Sequence, residues 1–154
     1  IPTCAAYCTS ITANCTTTSA QYTDNAACLS FCNGAPWVAG TTADATGDSL
    51  GCRIYHAGAS AADNTHCGHA GPSGGNACGS WCDVYCGQMA DACPGTYTDT
   101  AACQTACGAF PNTGAVGSAT GNTVQCRIYH ADAAAADNTH CAHATAASAA
   151  GTCQ

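Results

Sequence analysis

The 154-residue chain has a formal net charge of −7, no lysine, no glutamate, and only Arg53 and Arg127 as permanent cations. Two arginines cannot build a basic patch, which excludes nucleic acid and anionic membrane surfaces as partners. No apolar run approaches the ~20 residues that a membrane-spanning helix needs, and much of the 47% apolar content is Ala and Cys rather than core-forming bulk.

The sixteen cysteines fall into two sets of eight with matching order. Cys4, Cys8, Cys15, Cys28, Cys32, Cys52, Cys67 and Cys78 form the first. Cys82, Cys86, Cys93, Cys103, Cys107, Cys126, Cys141 and Cys153 form the second. This duplication predicts two tandem homologous domains, residues 1–78 and 79–154. Units that small bury too little apolar surface to be secure without crosslinks, and each disulfide supplies ~2–4 kcal/mol, chiefly by restricting the unfolded chain. An even cysteine count per repeat points to an oxidising compartment. The expectation is a mature secreted protein that begins at Ile1 after its signal has been removed.

Each repeat opens with Cys-x3-Cys-x6-Cys, a spacing that puts all three thiols on one face of a helix. A second Cys-x3-Cys follows a shared Tyr-Thr-Asp (Tyr22-Thr23-Asp24 and Tyr97-Thr98-Asp99), whose Thr or Asp suits a helix N-cap. Two antiparallel helices so equipped can be riveted outer to outer and inner to inner. That geometry predicts Cys4–Cys32 with Cys8–Cys28, and Cys82–Cys107 with Cys86–Cys103, among the 105 pairings that eight cysteines allow. The twin Cys-x3-Cys hairpin is similar to that of the small mitochondrial import chaperones, over the first third of each repeat only.

A Gly/Ala/Thr-rich loop comes next, over about residues 33–47 and 108–120. Then follows the best-preserved block, residues 52–70 and 126–144, which differ at three positions. Its Ala-rich start predicts a third helix, and Asp63-Asn64 and Asp137-Asn138 predict its end or a turn. Only Gly79-Ser80-Trp81 joins the repeats, a link short enough to suit end-to-end stacking.

All six histidines lie in this block: His56, His66 and His69, then His130, His140 and His143. The spacing His-x9-His-Cys-x-His admits two readings. One is a three-imidazole site for a transition metal ion such as copper or zinc, or axial ligation of haem. The other is structural: His66 and His69 flank Cys67, whose disulfide alone would hold them in place. Thiolate ligation by Cys52 and Cys67 would need reduced cysteine and break the even count.

Arg53 and Arg127 have two candidate roles, a salt bridge to Asp48 or Asp63, or a partner for a haem propionate. Asp63 and Asp137 read as turn residues or as members of a metal shell. Asn14-Cys15-Thr16 is a formal N-glycosylation sequon, and Thr16-Thr17-Thr18 suits O-linked sugar. Tyr7, Tyr85 and Trp81 are candidates for core packing. Catalysis finds little footing: there is no glutamate pair, nucleophile elbow or phosphate loop.

The fold expected is therefore small, disulfide-rich and mainly α: two tandem domains, each a helical hairpin plus a third Ala-rich helix and irregular loops. Two functions are compatible with it. The first is a secreted structural protein that self-associates head to tail into an extracellular fibre, with itself as partner, because like repeats leave like surfaces at both ends. The second is metal or haem binding through the histidine blocks, for storage, scavenging or electron transfer.

Overall fold

A computed structural model describes all 154 residues, and they form eight α-helices with no strand beyond one isolated bridge between Val38 and Ser49. The helices are α1 (Cys4–Asn14), α2 (Asn25–Gly34), α3 (Leu50–Ala59), α4 (His66–Ala70), α5 (Trp81–Ala92), α6 (Thr100–Cys107), α7 (Val124–Ala133) and α8 (His140–Ala144). The chain is small, helical and crosslinked by eight disulfides, with no free cysteine. No helix is long and apolar enough to cross a membrane. The chain divides into two compact units: Ile1–Asn33 with Trp37–Ser80, and Gly34–Pro36 with Trp81–Gln154.

In the first unit, side-chain caps decide where helices begin. Thr3 Oγ1 accepts from the Ala6 amide, Asp24 Oδ1 from Ala27 and Ser49 Oγ from Cys52. Each satisfies an amide that has no partner within its helix. Cys4–Cys32 and Cys8–Cys28 join α1 to α2 as the outer and inner pairs of a hairpin. Cys15–Cys67 ties the end of α1 to α4, and Cys52–Cys78 ties α3 to the closing segment. α1 and α4 both pack on α3.

Bulk inside this unit is scarce and concentrated. Tyr7 and Ile11 of α1 are buried, and Tyr7 meets Trp37 edge-on with ring centroids 5.7 Å apart. The Tyr7 hydroxyl donates to the Ala70 carbonyl at 2.7 Å and shares a 3.0 Å hydrogen bond with the Tyr22 hydroxyl. Arg53 is fully buried, with its guanidinium 3.9 Å from the Trp37 ring centroid and an ion pair to Asp48 at 2.9 Å. Of the roles open to Arg53, the salt bridge to Asp48 is the one found.

The second unit repeats these devices with different residues. Asp99 caps α6 and Thr123 caps α7. Cys82–Cys107 and Cys86–Cys103 form its hairpin, Cys93–Cys141 ties α5 to α8, and Cys126–Cys153 closes the chain. Tyr85 donates to the Ala144 carbonyl at 2.8 Å. Phe110 lies beneath Arg127, 4.1 Å from its guanidinium carbon, as Trp37 lies beneath Arg53. Arg127 makes no ion pair; Asn122 Oδ1 and the carbonyls of Thr123, Thr145 and Ala146 accept from it. Gln88 Nε2 donates to the Gly34 carbonyl at 2.9 Å, which holds Gly34–Pro36 within this unit.

Candidate metal centres

The two histidine blocks build the same constellation, once in each unit. His56 lies on α3 and is 6% exposed. His66 and His69 begin and nearly end α4, three residues apart and so on one helical face. The ring centroids of His56 and His66 are 5.0 Å apart, those of His56 and His69 4.9 Å, and those of His66 and His69 6.0 Å. For His130, His140 and His143 the corresponding distances are 5.1, 5.1 and 5.6 Å. Within each triad one ligand atom per residue lies within 4.8 Å of the others.

The protonation pattern follows from the partners. His56 Nε2 is 3.0 Å from the Ala45 carbonyl oxygen, which can only accept, so Nε2 carries a proton. In the neutral ring Nδ1 then holds a lone pair, and it faces His66 Nδ1 at 2.7 Å. His130 repeats this, with Nε2 donating to Ala119 O at 3.0 Å and Nδ1 2.8 Å from His140 Nδ1. A metal-bound imidazole almost always donates its other nitrogen in this way, which fixes ring orientation and raises ligand basicity. The third nitrogen of interest is an orphan: His69 Nδ1 and His143 Nδ1 are both buried without a hydrogen-bond partner.

Electrostatics favours the neutral ring at His69 and at His130. Burial, followed by the neighbouring His56 and His66, holds His69 below its ordinary pKa. Burial is also the main cause lowering His130, with His143 and His140 adding to it and the bond to Ala119 opposing it. An uncharged imidazole is the form that binds a metal.

The elements around each triad explain its position. α4 is a five-residue helix, too short to persist unaided. Cys15–Cys67 anchors it between its two histidines, and the Tyr7 hydroxyl holds its last carbonyl. Gly75, with φ at +52°, passes so close that a Cβ there would stand 2.9 Å from His69 Cδ2. The loop presenting Ala45 is organised by Asp44, which accepts from the Thr41 amide at 2.8 Å and the Thr41 hydroxyl at 2.6 Å.

Several other residues singled out in the sequence lie outside the triads. Asp63 and Asp137 are turn residues: their Oδ1 atoms accept from the amides of Thr65 and Thr139, and both are exposed. Cys52 and Cys78 lie close to His56, but their sulfurs are bonded to each other, and Cys67 is bonded to Cys15. No thiolate is therefore available. A haem held between the two facing imidazoles does not fit, since their nitrogens stand at hydrogen-bond distance, and Arg53, stacked over Trp37, is paired with Asp48 rather than free for a propionate. Asn14 Nδ2 donates to the Ala57 carbonyl at 2.8 Å, so the sequon's amide is committed to holding α1 against α3. The Ala45 and Ala119 carbonyls and the short helices α4 and α8 carry no side-chain signal that sequence reading could have used.

What remains fits an ion. With metal–nitrogen bonds of about 2.0–2.1 Å, tetrahedral coordination places ligand nitrogens roughly 3.4 Å apart. The rings of His56 and His66 need part by little more than half an ångström from their 2.7 Å contact to admit one.

No curated protein and no solved structure matches the chain. The model of the BfoA family C-terminal domain matches residues 3–83, a span that holds the first nine cysteines and the first histidine triad. That match covers just over half of the sequence, and the chain belongs to the BfoA family by its C-terminal domain.

Proposed function

We propose that this protein binds a transition metal ion, copper or zinc, at each of two tri-histidine centres. The observation that carries this reading is a bond made twice: His56 and His130 each give their Nε2 proton to a backbone carbonyl and turn Nδ1 toward a second imidazole, within a cluster of three. Imidazole donors suit copper and zinc and do not suit calcium or magnesium. Eight disulfides support a site of action outside the reducing cytosol, where the ions would be stored, scavenged or passed on.

The test is a titration of chelator-treated protein with Cu(II) and with Zn(II), followed by calorimetry and elemental analysis. Two ions per chain are expected, one in His66→Ala or His140→Ala and none in the double variant. Retention of both ions by the double variant would overturn the reading.

A second reading concerns the partner. Each unit carries the same helix order and the same pattern of four disulfides, so similar surfaces occur twice in one chain. We infer from this a head-to-tail homopolymer, the subunit of an extracellular fibre. Electron microscopy of the concentrated native protein should show filaments. A monodisperse monomer at all concentrations would count against them.

A further inference from the structure

We propose that the ion in each centre keeps one coordination position open to solution, filled at rest by water or hydroxide and exchangeable for a small anion. This rests on the metal-binding reading and goes beyond it, because it assigns a ligand class and separates these centres from closed structural sites.

Only three side chains converge on each centre, and no fourth His, Cys, Asp or Glu donor joins either triad. The other polar groups nearby are engaged elsewhere. The Asp63 carboxylate accepts from Thr65, the Ala45 carbonyl accepts from His56 Nε2, and the sulfurs of Cys52 and Cys78 are joined in a disulfide. The second centre is alike: Asp137 accepts from Thr139, Ala119 from His130, and Cys126 is bonded to Cys153. Closed structural zinc sites have four protein ligands, whereas sites with three keep a place for water or substrate.

Access comes next. His56 is buried, but His66 and His69 are only half-buried, so each triad has a covered side and a side near solvent. His140 and His143 repeat this around buried His130.

Charge gives the ligand class. Three neutral imidazoles leave a divalent ion's charge uncompensated, and neither triad includes a carboxylate. Such an ion attracts an anion and lowers the pKa of bound water, which for zinc in a three-histidine site falls to about 7. The exchange balances simply: bound water leaves as the anion enters, or water loses one proton to solvent and stays as hydroxide.

The test uses the full chain loaded with two equivalents of Cu(II) and titrated with azide. An azide-to-copper charge-transfer band should grow and saturate at one azide per ion, with a matching change in the electron paramagnetic resonance spectrum. The His66→Ala/His140→Ala double variant, which keeps every disulfide, should lose the band. Copper bound at two per chain with spectra that azide leaves unchanged would overturn the open position while leaving metal binding intact. Failure to bind copper or zinc at all would overturn both readings. An azide band of equal strength in the double variant would assign the open position to copper elsewhere and also overturn the proposal.

Discussion

His56 donates its Nε2 proton to the carbonyl of Ala45 at 3.0 Å, and this one bond decides which nitrogen of the ring faces His66. The carbonyl is held in place by a loop that Asp44 organises through Thr41. Removing such an outer-shell support typically costs about 10–100-fold in metal affinity. Asp44→Ala acts one bond further out, so it should weaken the first centre about tenfold and leave the second unchanged, read as a split of one titration step into two.

The Asp44 carboxylate itself is held below its ordinary pKa, first by the Thr41 hydroxyl and then by the Thr41 amide. Asp63 and Asp137 are lowered in the same way, mainly by the amides of Thr65 and Thr139. A depressed carboxylate contributes stability above its unfolded value of 3.8, and that contribution is lost as pH falls through the lower folded value. Carbon-detected NMR titration of metal-free protein should therefore find all three midpoints below 3.8. Midpoints at or above that value would mean that these carboxylates do not hold their loops.

Tyr7 links the core of the first unit to its metal centre, because its hydroxyl donates to the last carbonyl of α4. Tyr7→Phe leaves the Ala70 carbonyl buried without that donor, a loss of about 1–3 kcal/mol. It should lower the thermal midpoint and weaken copper binding at the first centre. Tyr85→Phe should do the same for the second, since Tyr85 donates to Ala144.

The hairpins were legible in the sequence because Cys-x3-Cys is one helical turn and its partner repeats the spacing, so pairing outer to outer needs no tertiary information. The third helix was legible as well, although it starts at Leu50, ahead of the Ala-rich stretch, because Ser49 caps it. The helix α4 was not, since five residues have no stable periodicity and its position depends on Cys15 and Tyr7, both more than fifty residues away. The triads were visible as clustered histidines, but the same spacing suits a structural role beside Cys67 and Cys141. What favours ligation is a backbone carbonyl eleven residues upstream, which has no side-chain signature. Arg53 and Arg127 look identical in sequence, yet one takes an acid and the other an amide as partner.

That difference makes a stability prediction. Arg53 Nε and Nη2 are buried without partners, so the Asp48 carboxylate is its only counter-ion. Breaking a buried pair by removing one member costs on the order of 3 kcal/mol, because the remaining charge is stranded. Asp48→Ala should destabilise the first unit by about that amount. Asp48→Asn, which copies the Asn122 arrangement that serves Arg127, should cost clearly less in denaturant unfolding.

Tyrosine ionisation gives a second stability test at high pH. Burial, outweighing every other influence, pushes Tyr7, Tyr22 and Tyr85 well above the ordinary value of 10.0. A raised folded pKa means stability fully present below the unfolded value and lost as pH rises toward the folded one. These three phenols should stay protonated until the fold opens, so phenolate absorbance should rise in two stages, the second coincident with loss of helical circular dichroism. A single early rise covering all six tyrosines would contradict the buried hydrogen bonds described above.

Some crosslinks hold only the fold, and one also holds the site. Cys15–Cys67 spans 52 residues, the longest separation in the chain, and its second sulfur stands between His66 and His69. The chain-entropy relation assigns a loop of that length about 4 kcal/mol. Cys4–Cys32 spans 28 residues and joins α1 to α2, yet the same relation assigns it only slightly less. Replacing either pair with alanine should therefore lower the unfolding midpoint by similar amounts. Only the loss of Cys15–Cys67 frees α4, so only that variant should release copper from the first centre, at a temperature where both proteins remain folded. Equal copper retention in the two variants would show that α4 holds its histidines without the crosslink and that the Tyr7–Ala70 bond is sufficient.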